Sequence, residues 1–159
     1  MSTIHVAGGV GIAPTAMAAY DAALADANLQ DYNLITVSSV IPAEATLEVV
    51  DAAPDLGPAG NRLTVVQGKA VAAPDSSAAE ITTGIGWVTG PGPGLFYEAS
   101  GTDPEAVEAE IRRGLEAGCE LRDWEFTDRD VLLSTVEPAA GSHTAAVVLA
   151  AYGESEPIL

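Results

Sequence analysis

Lysine is almost missing from this chain. Lys69 is the only one in 159 residues, and lysine and arginine together number 6 against 23 aspartates and glutamates, a formal charge of −17. That balance excludes a nucleic-acid partner, because a phosphate backbone needs a cationic face. An anionic membrane surface is excluded for the same reason. Cysteine is equally scarce. Cys119 stands alone, so no intrachain disulfide can form, and a reducing cytoplasm is the expected setting. Aromatic residues make up only 5%, so the core has to be assembled from alanine, valine and other small apolar side chains. No apolar run is long enough for a membrane span: the longest, around Ala145 to Tyr152, falls well short of the ~20 residues a helix needs. The start, Met1-Ser2-Thr3-Ile4-His5, has no basic region followed by a long apolar stretch, so no signal peptide is expected.

What is present is acid, spread evenly. The carboxylates are scattered rather than gathered in runs, which argues against an acidic tail. Many acids, one lysine and small apolar residues together point to a protein that works in concentrated salt. There the Debye length is only about 3 Å at 1 M, so self-repulsion is screened and the charge does not steer substrates from afar. The length suits a single domain covering residues 1–159.

Hydrophobic patterning predicts strands at 3–7, 32–40, 45–50, 62–73, 81–88, 95–98, 119–126, 130–136 and 143–152. The Gly8-Gly9-Val10-Gly11 stretch reads as a tight turn, since it lacks the full spacing of a phosphate-binding loop. A helix is expected over roughly 14–27, with Met17, Tyr20 and Leu24 as its buried stripe. Asp21 falls on or beside that stripe, or else is an edge carboxylate in solvent. A second helix is capped by Thr102 or Asp103, opens with Pro104, buries Val107, Ile111 and Leu115, and ends before Gly118. Glu98 follows Phe96 and Tyr97. It is either partly desolvated, which would raise its pKa and let it hold a proton, or a strand-end glutamate facing water. His5 and His143 show no metal-ligand spacing with other histidines or cysteines, and no metal is expected.

The richest segment is Asn33-Leu34-Ile35-Thr36-Val37-Ser38-Ser39-Val40-Ile41-Pro42. Its apolar residues predict a largely buried strand, in which two adjacent hydroxyls must find hydrogen bonds or do chemistry. In one reading they are capping or ladder-bonded serines. In the other, the Ser39 hydroxyl attacks the Ser38 carbonyl, the amide becomes an ester, and β-elimination cuts the chain and leaves a pyruvoyl group at position 39. Backbone strain at 38–39 would favour the second reading.

This segment resembles the processing site of the archaeal-type pyruvoyl-dependent arginine decarboxylases: Asn-Leu, an apolar residue, any residue, an apolar residue, Ser-Ser, two apolar residues and Pro. Tyr20-Asp21-Ala22-Ala23-Leu24 resembles a helical segment of the same family. Gly94-Leu95-Phe96-Tyr97-Glu98-Ala99-Ser100-Gly101 resembles its segment with a functional glutamate, and Leu121-Arg122-Asp123-Trp124-Glu125 its Arg-Gly-Trp-Glu strand. The blocks keep family order and span most of the chain.

The resemblance implies an α/β sandwich in which central β-sheets are covered by helices, a pyruvoyl cofactor derived from Ser39, and cleavage into chains 1–38 and 39–159. It also implies a homotrimer, or a multiple of it, with active sites between subunits. It implies catalytic roles for Ser39, Asn33 and the proton donor Glu98, a substrate-binding role for Asp21 at the guanidinium, and a place for Ser38 beside the substrate. The implied reaction is decarboxylation of L-arginine to agmatine, which needs an electron sink at Cα. Two departures stand out. Leu29-Gln30-Asp31 replaces a glycine-containing turn that helps shape the substrate pocket, and Asp123 replaces the glycine of the Arg-Gly-Trp-Glu strand. The first leaves open another amino-acid substrate, such as histidine or ornithine. A homologue that never cleaves is the alternative from a different class.

Overall fold

The computed structural model describes residues 2–159. In chain order the elements are β1 (Thr3–Ala13), α1 (Ala16–Asp26), β2 (Asn33–Thr36), β3 (Val40–Ile41), β4 (Thr46–Val49) and β5 (Arg62–Ala72). They continue with β6 (Ile81–Thr89), β7 (Gly94–Gly101), α2 (Pro104–Glu120), β8 (Asp128–Val136) and β9 (His143–Tyr152). The strands form two sheets, one of order β2-β5-β9-β1-β4 and one of order β3-β7-β6-β8.

The sheets pack face to face, with Ile4, Val6, Val66, Ile85, Trp87, Phe96 and Val148 between them. Helix α1 covers the outer face of the five-stranded sheet, closing a core with Leu63, Val65, Val147 and Leu149. Helix α2 covers the other sheet through Val107, Ile111 and Leu115. The result is the expected α/β sandwich. The β9 run is buried from Thr144 to Ala151, because it is central and covered on both faces.

The glycine stretch is no turn. Gly8, Gly9 and Gly11 lie inside β1, in unbroken antiparallel register with β9 from Ile4↔Tyr152 to Ala13↔His143. A Cβ on Gly9 or Gly11 would run into the α1 backbone at Ala23. The helix therefore lies directly on the strand and buries its alanines, Ala19 and Ala23, together with Leu24. The expected stripe through Met17 is wrong for that reason: Met17 is 76% exposed. Thr15 caps α1, its hydroxyl accepting from Ala18 N–H at 3.1 Å, so the helix starts at Ala16 and not at 14.

Helix α2 is capped by Asp103 and runs through Gly118 to Glu120. The expected strand at 119–126 is absent: Cys119 and Glu120 belong to the last turn of the helix, and 122–127 is irregular. Arg122 donates back to the Gly118 carbonyl at 2.9 Å and lies over the Trp124 ring, which folds this segment against the helix end instead of into a sheet.

Candidate active site

The serine segment is neither continuous nor buried. Residues 33–36 pair in parallel with β5, from Asn33↔Arg62 to Thr36↔Val65, and Val37 N–H extends the ladder to the Val65 carbonyl at 2.9 Å. Two residues on, the chain has changed sheets. Val40 and Ile41 pair antiparallel with Leu95 and Gly94 of β7, and Phe96 N–H donates to the Ser39 carbonyl at 2.7 Å. The Ser38–Ser39 peptide is therefore the crossing between the two sheets. Ser38 is exposed and Ser39 half-buried. The expectation of a buried strand fails because β2 is an edge strand and β3 has only two residues. Left-handed backbone among the described non-glycine residues occurs only at Asn28, so no such strain marks the crossing.

Glu98 lies on β7, the strand that pairs with the far side of this crossing. Tyr97 packs on α2 while Phe96 packs between the sheets. Strand alternation therefore places Glu98 on the Phe96 side, two residues from the amide that holds Ser39. Glu98 is exposed, not partly desolvated as its neighbours suggest. Tyr152, the last residue of β9, completes the surround. Its hydroxyl donates to the Val40 carbonyl at 2.9 Å, and its ring meets Phe96 edge-on at 6.0 Å. Burial, and secondarily the Glu98 charge, push its phenol up to about 12.

Asp21 and Asn33 lie elsewhere. Both line a groove of about 610 Å³ between α1 and β2, shared with Tyr20, Gln30 and Gln67. Asp21 is exposed. Asn33 donates its side-chain amide to the Gly60 carbonyl at 2.7 Å. Tyr20 donates to the Gln67 side-chain oxygen and lies under the Lys69 ammonium. Within one chain, then, Glu98 lies on the strand whose Phe96 amide holds Ser39, while Asp21 on α1 and Asn33 on β2 line a separate groove.

Comparison with known proteins places this geometry. Residues 3–157 match the family model described as pyruvoyl-dependent arginine decarboxylase. The pyruvoyl-dependent arginine decarboxylase of Halobacterium salinarum is 53% identical over 160 residues, covering 99% of this chain and 98% of that one. Those of Pyrococcus furiosus, at 31% over 87% of this chain and 88% of that one, and Methanopyrus kandleri, at 30% over 91% of each, are more distant. The chain belongs to the pyruvoyl-dependent arginine decarboxylase family.

A pyruvoyl group fits at position 39. It is smaller than the serine it replaces, it lies outside the packed core, and its amide oxygen would be the one that Phe96 N–H already holds. The sequence reading missed Tyr152 and the Phe96 amide. Tyr152 had a signal, as a polar-tipped ring ending an apolar strand beside the site. A backbone N–H has none.

Proposed function

We propose that this protein cuts itself between Ser38 and Ser39 and then decarboxylates L-arginine to agmatine and CO2. The Ser39 hydroxyl adds to the Ser38 carbonyl, exchanging amide for ester. Elimination across Cα–Cβ of residue 39 frees the Ser38 carboxylate. Water then replaces the nitrogen, which leaves as ammonia, and a ketone remains. The observation that carries this reading is the crossing itself. The scissile peptide is solvent-accessible and fixed on both sides by strand pairing, so a cut there releases no core element.

The ketone supplies the electron sink that ordinary side chains lack. Glu98, the proton donor that the family pattern implies, passes a proton to Cα after CO2 leaves. Asp21 receives the guanidinium, a planar fork that matches a carboxylate. Gln30, where the chain departs from family pattern, shares the groove with Asp21 and so stands where substrate length is judged. Asn33, fixed by Gly60, orients the substrate from the same groove.

Because Asp21 and Asn33 stand apart from Ser39 and Glu98 in one chain, the complete site forms between copies, in a homotrimer or a multiple of it. Ile35, Val37 and Val40, exposed at 42%, 37% and 45% along the segment joining the two groups, are the apolar surface such an assembly would cover. The reaction belongs in the cytoplasm, as the lone cysteine suggests; no helix among the described residues is long and apolar enough to cross a membrane. The test is mass spectrometry of the purified chain together with release of labelled CO2 from arginine, ornithine, lysine and histidine. Two fragments and a preference for arginine are expected. An uncut but active chain would overturn the cleavage, and preference for another amino acid would overturn the substrate.

A further inference from the structure

We propose that Tyr152 is a positioning residue for the group at position 39, acting through the Val40 carbonyl. The inference rests on reading Ser39 as the residue that carries the ketone. Before the cut, residue 39 lies in the crossing between the sheets, outside either strand, so the direction of its carbonyl already depends on the hydrogen bonds that hold it. After it, residue 39 begins a chain, and little holds that end. β3 contributes only Val40 and Ile41. The Phe96 amide holds the Ser39 carbonyl at 2.7 Å. The remaining tie is the Tyr152 hydroxyl on the Val40 carbonyl at 2.9 Å.

The two hydrogen bonds come from different elements and grip successive carbonyls. The Phe96 bond comes from within the four-stranded sheet, whereas the Tyr152 bond reaches across from the other sheet. With one carbonyl held, the end can still rotate about it. With two held, the plane of the amide between residues 39 and 40 is set, and with it the direction in which the substituent at 39 faces Glu98. Tyr152 is itself fixed. Its backbone is paired with Ile4 and its ring is set against Phe96. Its high pKa keeps the hydroxyl a donor across the neutral range.

Tyr152→Phe removes one oxygen and keeps the ring. Two rates are read. The first is self-cleavage of freshly made chain, followed by mass spectrometry, which needs no active enzyme. It should fall about tenfold, the effect of one neutral hydrogen bond on a step that depends on orientation. The second is turnover of the fully cleaved variant, where kcat should fall by a similar factor with KM within about twofold. Wild-type rates in both assays would overturn the proposal. So would rates that fall only together with a raised KM and a lowered melting temperature, since that pattern marks a structural role. A wild-type chain that never cleaves would instead sink the reading of Ser39. Should the variant fail to fold, a crystal structure of cleaved wild type decides: Tyr152 Oη within hydrogen-bond distance of the Val40 oxygen upholds the proposal, and its loss ends it.

Discussion

At the scale of single residues, the two carboxylates should fail in different ways. Glu98 lies on the strand that holds Ser39, and in the proposed reaction its loss removes a proton donor and not a binding contact. Glu98→Gln should lower kcat by about 10²–10⁴, the range of a general acid, with KM nearly kept. Asp21 lines the groove beyond β2. Asp21→Asn keeps its shape and removes its charge, so KM should rise by at least tenfold, consistent with losing a charge-assisted pair worth about 1.5–3 kcal/mol. Steady-state kinetics on both cleaved variants checks this, and full turnover by Glu98→Gln would place the proton donor elsewhere. Tyr152 makes a separate pH prediction. Its folded pKa, about 12, lies above the ordinary phenol value of 10.0, so the folded state holds a proton that the unfolded state gives up. The stability it contributes is complete below pH ~10 and is lost as pH rises through ~12. Thermal melts across that window should fall more steeply for wild type than for Tyr152→Phe.

At the scale of elements, the cut should not separate the two chains. Residues 1–38 include β1, which holds ten register pairs with β9 between Ile4↔Tyr152 and Ala13↔His143, and α1, which is buried on the same sheet. Under native conditions the fragments should elute together and part only in denaturant; gel filtration that resolves them would contradict the strand pairing. Gly11→Ala should be far more damaging than its size suggests. A Cβ there meets the Ala19 carbonyl and the Ala22 side chain as well as Ala23, and overpacking of this kind costs about 1–3 kcal/mol. These elements also show what could be read from sequence. Strands with clear apolar patterns, β4, β5, β6 and β9, were legible nearly to the residue, as were Pro104 and the α2 stripe. The β1 glycines were not. Their role is to admit a helix from elsewhere in the chain, and turn propensity alone says nothing of that. The break at Ser38–Ser39 was hidden for a related reason. Val37 and Val40 suit a strand equally well, and only the rest of the fold assigns them to different sheets. The candidate site residues come from the family pattern, and their division into two groups follows from the direction of β2 and is invisible in a linear motif.

At the scale of the whole molecule, the charge should decide under what conditions the fold and the proposed assembly persist. Three of the few cations are committed to exposed pairs: Arg62 with Glu156 at 2.9 Å, Arg112 with Glu108 at 3.0 Å and Arg129 with Glu116 at 3.2 Å. Such pairs are worth about 0–1 kcal/mol each and cannot offset a net −17. Joining copies compounds the problem, because every added subunit brings the same sign. Asp55, Glu154 and Glu156 already converge on one groove of about 690 Å³ beside His5 and Tyr152. At ~0.1 M salt the Debye length is about 10 Å, long enough for carboxylates in that groove to repel one another; at ~1 M it is about 3 Å, and they do not. Dialysis from the higher to the lower salt should therefore lower the melting temperature and dissociate the oligomer, as followed by circular dichroism and analytical ultracentrifugation. The double variant Asp55→Asn, Glu154→Gln should need less salt to hold the same melting temperature, since it removes two of the three acids from the groove and leaves the Arg62 pair intact. Unchanged melting and assembly at low salt would show that self-repulsion is not what limits this fold. An unchanged salt requirement in the double variant would show that the repulsion lies outside that groove.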